Sequence, residues 1–127
     1  MTVKIKTIAR KNLQDQAAPA KYYAIVDSSG KTDLNELSAL IADKCTVSRP
    51  DVYAVIIAAT EVIMKEIAAG RSVQFGILGS FGVSISSVGK ATPEEVTASS
   101  VKSAKVLYRA GPEIKDLIKN LKFEKKS

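Results

Sequence analysis

The side chains able to do chemistry in this 127-residue chain are few in kind. There is no His, no Trp and a single Cys, at position 45. Without His, neither a Ser–His nor a Cys–His nucleophile can form, and no His-containing zinc site is possible. One Cys excludes an internal disulfide and any clustered-Cys metal centre. Cys45 has only Lys44 beside it and no base, so it is expected to be a small apolar filler at a helix end. Glu94 and Glu95 are neighbours, which on a strand point to opposite faces and cannot work as an acid–base pair. The residues therefore point away from an enzyme, and no cofactor, metal or small-molecule substrate is expected.

What remains is positive charge. Lys90, Lys102, Lys105 and Arg109 follow one another along one stretch. Lys115 and Lys119, an i, i+4 step, share a helix face, with Lys122 just beyond. Such side chains make sequence-independent contacts to phosphates and release counterions. For any one of these lysines taken alone, a solvated polar face is the better reading. Their distribution adds weight: residues 1–31 carry six basic and two acidic groups, residues 32–89 four and six, residues 90–127 nine and five. Two basic ends flank a mildly acidic, apolar middle, a pattern that raises the prospect of a polyanion partner.

The elements that must position these charges follow from periodicity. Val3, Ile5 and Thr7 alternate with Lys4 and Lys6, a half-exposed strand, and Lys21–Val26 is a second β-prone run that could pair with it. Asp33-Leu-Asn-Glu36 has the form of a capping box, and Leu34, Leu37 and Ile41 then mark one helix face. A second helix starts at Ser48 as cap, with Pro50 in the first turn, and Gly70 suits its end. Val52, Val55, Ile56, Ala59, Val62, Ile63 and Ile67 make its stripe. A recognition helix in the DNA groove is a poor fit, because AVIIAATEVI has almost no donors for base edges. A helix apolar on nearly every side must be covered all round, and so small a chain implies that a second copy covers it. From Arg71 the period switches to two, through Val73, Phe75, Phe81, Val83 and Ile85, with glycines that mark a bend or close backbone approach. Residues 84–104, rich in Ser, Thr and Ala, read either as a two-stranded ribbon leaving the core or as a floppy surface loop. Val106–Tyr108 returns as a strand. Gly111-Pro112 opens a last helix with Ile114, Leu117, Ile118 and Leu121 inside, and a basic tail follows.

The opening MTVKIKTIARKN is charged where a signal peptide is apolar, and the longest apolar run, Val52 to Ala59, is far short of a membrane span. A soluble cytoplasmic protein is the expectation.

This order of elements resembles the bacterial HU and integration-host-factor family, histone-like proteins that bind DNA as intertwined dimers. TDLNELSALIADKCTVSRPDVYAVIIAATEVIMKEIAAG (32–70) looks like the family's two N-terminal helices, and GRSVQFGILGSFGV (70–83) like its strand and glycine-rich turn. LYRAGPEIKDLI (107–118) resembles the closing element, with Tyr108, Arg109, Gly111, Ile114 and Lys115 in matching places. The first 31 residues, together with VTASSVKSAKVLYRAG (96–111), look like the longer-chain HU-HIG variant.

The resemblance implies an α+β fold of two N-terminal helices, a sheet with an extended β-ribbon arm at about 84–104, and a short C-terminal helix, in an intertwined homodimer. A β extension (1–31) would precede an HU-like domain (32–127). It implies DNA contacts at Lys90, Pro93, Lys102, Lys105, Arg109, Lys115 and Lys119, and a dimer core of Val52, Val55, Ile56, Ala59, Ile63, Phe75 and Phe81. The implied function is a non-enzymatic, largely sequence-independent, nucleoid-associated protein whose partners are double-stranded DNA and itself. Family arms wedge a proline between base steps. Here the tip is Gly89-Lys-Ala-Thr-Pro93-Glu-Glu, one position off the usual spacing and with two carboxylates, so Pro93 is either a wedge or a turn proline. Ala110 and Pro112 stand where the family has Pro and Lys. The alternative is an HU-fold structural or protein-interaction module with weak or lost DNA binding, in which Tyr22 and Tyr23 form the contact surface.

Overall fold

The computed structural model describes residues 2–126, which form two compact units. One comprises the residues up to Asp33 together with Ile118 onward; the other is Leu34–Leu117. Each contains one three-stranded sheet, and with three helices the architecture is mixed α+β.

In the first unit, β1 (Val3–Arg10) and β2 (Lys21–Val26) pair antiparallel, from Ile5 opposite Val26 to Arg10 opposite Lys21. The expected basic tail is instead partly a strand. Phe123–Lys125 runs parallel to β1, with Val3 opposite Phe123 and Ile5 opposite Lys125; it is numbered β6 because it is last in the chain. A three-residue, Lys-rich strand has no period of its own to read, and only the open edge of β1 makes it one. Alternation places Val3, Ile5, Val26 and Phe123 on one face, and Lys4, Lys6, Arg10, Lys21 and Tyr23 on the other.

Lys4 donates to Glu124 at 2.6 Å and the Thr2 hydroxyl approaches it at 3.2 Å. The Lys4 hydrogen bond first, and then its charge, hold the Glu124 carboxyl below its usual range. A lowered folded value means the contribution is present at neutral pH and lost as pH falls through that value. Glu124→Gln is therefore expected to melt slightly below the parent near neutrality and to match it in acid. The gap should be small, because the pair is exposed. Thermal melts of both proteins across this range check it; a gap that widens in acid would contradict it.

In the second unit, α1 (Leu34–Ala42) begins directly after Asp33. Ser38 is fully buried and donates to the Leu34 carbonyl at 2.7 Å. Leu37, expected on the inner face, is exposed, so the covered face is rotated toward Leu34, Ser38 and Ile41. Cys45 lies beyond the helix and is exposed, which corrects its reading as a filler. The α2 helix (Arg49–Ala68) has Ser48 at its N-cap position and Pro50 in the first turn, but the Ser48 side chain makes no capping bond. Arg49 donates to Asn35 instead, at 2.9 Å, tying α2 to α1. The C-terminus closes as a Schellman motif. Gly70, at φ +83°, donates to Ile67, and Arg71 donates back to Glu66 at 3.0 Å.

The second sheet is β3 (Val73–Gln74), β4 (Gly79–Ser87) and β5 (Val101–Ala110), all antiparallel. A single 3₁₀ turn, Gly76–Leu78, makes the bend between β3 and β4. Gly79 then sits at φ +124° with the Arg109 carbonyl against it, so that an added Cβ would overlap that oxygen at 2.1 Å. The backbone approach expected from the glycines is real at this position. Gly79→Ala combines a forbidden conformation with a backbone clash and is expected to destabilise by at least about 2 kcal/mol. Urea unfolding measures it, and an unchanged midpoint would contradict the geometry. The last helix, α3 (Pro112–Lys119), has Ile114 half-buried but Leu117 and Ile118 exposed, so much of its expected inner face is bare.

Candidate nucleic-acid interface

The β4–β5 ribbon is the long feature of the second unit, and its register sorts its side chains. Ser80 faces Arg109, Gly82 faces Leu107, Ser84 faces Lys105 and Ser86 faces Ser103. These residues share one face, as the 2.8 Å contact between the Ser86 and Ser103 hydroxyls shows directly. The opposite face pairs Phe81 with Tyr108, Val83 with Val106 and Ile85 with Ala104. Phe81 and Tyr108 rings are 5.1 Å apart, and the Tyr108 hydroxyl donates to the Leu78 carbonyl at 2.6 Å. One face is thus mostly small, polar and basic, with Leu107 between Lys105 and Arg109, and the other is apolar.

Serines at 84, 86, 87 and 103 carry little strand propensity, so composition leaves this stretch open between ribbon and loop. Pairing decides the matter for residues 84–87 and 101–104, which are strand. The register then slips: Ser86 is opposite Ser103 but Ser87 is opposite Val101, so Lys102 is the extra residue of a bulge. A bulge bends its strand and re-aims its side chains, and Lys102 does not follow the simple alternation of Lys105 and Arg109.

Residues 88–100 close the ribbon through local turns and hydrogen bonds. Two 3₁₀ turns, Pro93–Glu95 and Ala98–Ser100, are held by Val88 donating to the Ser100 carbonyl at 2.8 Å. Ser100 is buried and bonds the Thr97 amide. Lys90 is exposed in this loop. Pro93 is the first residue of a turn that also contains Glu94 and Glu95.

Among the described residues, the salt bridges lie away from Lys90, Lys102, Lys105 and Arg109. Lys115 and Lys119 are exposed, one turn apart on α3. The structure therefore brings Lys105 and Arg109 together on one polar face and leaves the other expected cations dispersed. One residue was missed. Arg71 joins Arg109, Ser72, Ser80 and Gly82 around a cleft of about 310 Å³ at the base of the ribbon. The pairing of Val73 with Phe81 puts Arg71 there, a placement that needs the register and not just the sequence. Arg71 is partly compensated by Glu66 at 3.7 Å.

The expected dimer-core residues divide. Val52 is buried, and Ile56, Ala59, Ile63 and Phe81 are half-buried within the chain. Val55 is 64% and Phe75 48% exposed. Both line an open apolar groove of about 440 Å³ with Ala58, Ala59, Val62, Ile63 and Val73. The apolar face of the ribbon is equally bare, with Val106 71% exposed. Among the described residues, no helix is long and apolar enough to cross a membrane, and no group of acidic or Cys side chains is placed to hold a metal ion.

A family model, HU-HIG, described as an HU domain fused to a wHTH, Ig or glycine-rich motif, matches residues 1–125. Curated protein sequences give no match. Among solved structures, a protein from Bacteroides vulgatus provisionally described as DNA-binding superposes with a TM-score of 0.65 at 18% identity, over 98% of this chain and 48% of that one. This chain thus spans about half of that protein. HU from Anabaena, solved with DNA, superposes with a TM-score of 0.53 at 21% identity, over 69% of this chain and 98% of that one.

Proposed function

Because the chain belongs to the HU-HIG family, we propose that it binds duplex DNA as a homodimer, without catalysis and with little regard to base sequence. The observation that carries this reading is the two-faced β4–β5 ribbon. Its polar face offers Lys105 and Arg109, on either side of Leu107, opposite the small residues Ser80, Gly82 and Ser84, which let a phosphate backbone approach closely. Its apolar face, with the α2 groove, gives a second copy something to bury. In this reading Lys90, Lys102, Lys115 and Lys119 add phosphate contacts at the margins. The dimer core combines Val55, Ala59, Ile63 and Phe75, which line the groove, with Val52, Ile56 and Phe81. The HU fold and the solved HU–DNA complex among its neighbours support the same conclusion.

Pro93 is assigned to shaping the loop. It opens a turn whose next two residues are carboxylates, and a wedge there would carry Glu94 and Glu95 into the most negative groove of the duplex.

The deciding measurement is affinity for random-sequence duplex as a function of salt. Log affinity is expected to fall linearly with log salt, by about 0.9 for each phosphate contact, and to be nearly equal for unrelated sequences. A flat salt dependence, or no binding at low salt, would favour a protein-interaction module on the same fold.

A further inference from the structure

The first unit carries a second cluster of cations that the ribbon does not use. In the β1–β2 pair, Arg10 stands directly opposite Lys21, and Ile8 opposite Tyr23. Like charges opposed across an antiparallel pair destabilise it, and their Cα atoms are only ~4.5–5.5 Å apart. Lys11 follows at once. These side chains, with Asn12, Pro19 and Tyr23, line a cleft of about 560 Å³ between the strand ends and the loop that joins them.

The treatment of charge differs between the two ends of the same sheet. At one end, Lys4 pairs with Glu124, and Lys6 and Lys126 pair with Asp27. At the other, no carboxylate lines the cleft, and the salt bridges of the described residues leave Arg10, Lys11 and Lys21 out. The joining loop contains one acid, Asp15, and its carboxylate accepts from the Ala17 amide at 3.2 Å. The Arg10 guanidinium lies 5.8 Å from the centre of the Tyr23 ring. A cation held over an aromatic ring keeps in-plane N–H donors for a forked contact to an oxyanion.

We propose that this cleft is a nucleic-acid phosphodiester site, independent of the ribbon, in which one phosphate sits between Arg10 and Lys21 with Lys11 at the rim. Cations together with a half-exposed Tyr are the combination that holds a strand by its backbone and one base face, whereas a bare carboxylate needs no ring. The site goes beyond the ribbon reading, and it gives each chain a second place to hold nucleic acid. The opposed charges acquire a reason: an anion turns their repulsion into a chelate.

The test is a titration of the ¹⁵N-labelled full chain with an oligothymidylate of about eight nucleotides at low salt, followed by amide shifts. Saturable shifts are expected at residues 10–12 and 18–23. Arg10→Gln with Lys21→Gln should weaken binding at these amides at least about tenfold, with each single change intermediate. The double variant should melt no lower than the parent, since it removes a like-charge pair. Lys105→Ala with Arg109→Ala should leave the cleft shifts in place. Cleft amides that stay still overturn the proposal, as does their loss in the ribbon variant. So does an equal response to inorganic phosphate or to an oligoglutamate peptide at the same concentration. If duplex binding shows no salt dependence while the cleft shifts persist, the ribbon reading alone has failed.

Discussion

Val55→Glu is expected to leave no folded protein at micromolar concentration. Among the described residues, the only apolar side chain classed as buried within the chain is Val52, at 7% exposure. A chain of this length ordinarily buries well over half of its unfolded surface, and the proposed second copy would complete its core. Val55 projects into the α2 groove beside Val62 and Phe75, where a second copy would press. In a twofold contact one substitution places a carboxylate on each side, and each unpaired buried charge costs several kcal/mol. Against a total stability of about 5–15 kcal/mol the pair is decisive. Sedimentation and far-UV circular dichroism, run together, check it. A folded Val55→Glu protein with the parent's mass and melt would mean that this helix face looks into solvent. Val55→Ile should sediment and melt as the parent does, which separates the charge from the mere change of residue.

Lys105→Glu with Arg109→Glu is expected to weaken duplex binding on the order of 100-fold at low salt, about 1.4 kcal/mol for each of the two side chains replaced. The two residues share the polar face of β5, and among the described residues neither is in a salt bridge. The weakening should be the same for every duplex sequence, because phosphate contacts carry no base information. Replacing both with Ala should flatten the salt slope by about two units. Fluorescence anisotropy across a salt series reads both effects. An unchanged slope would move the interface off the ribbon, and a sequence-dependent effect would mean that one side chain reaches a base edge.

The legible parts of the fold were those with a strong local signal. Pro50 and Gly70 bracket α2 because one cannot donate in a helix interior and the other closes a left-handed cap. The alternation of Val3, Ile5 and Thr7 is the alternation of β1. What could not be read was what one segment does for another. Ser84 to Ser87 become strand only because residues 101–105 lie beside them, and Phe123–Lys125 only because β1 offers an edge. Leu37 and Ser38 exchange roles because burial follows the packing of α1 on α2 and not hydropathy alone. For the candidate site, the identities of the basic residues were plain, but their grouping was not. Lys102 and Lys105 look equivalent in sequence, and the bulge at Lys102 breaks their equivalence. Arg10 and Lys21 are ten residues apart in the chain and face one another only through the hairpin register.

The parallel pairing of β6 with β1 has a consequence for the order in which the chain assembles. Val3 and Phe123 pair from near the two ends of the described residues. Closing a loop of that size costs about 2 kcal/mol more in entropy than closing the short connection between β1 and β2. The hairpin therefore nucleates early, and the third strand arrives last. During synthesis, the edge of β1 away from β2 stays open until residues 123–125 have left the ribosome, a template for any strand from a neighbouring chain. Three residues of β6, anchored by Glu124 on Lys4 and by Lys126 on Asp27, retire that edge and end the window for mispairing.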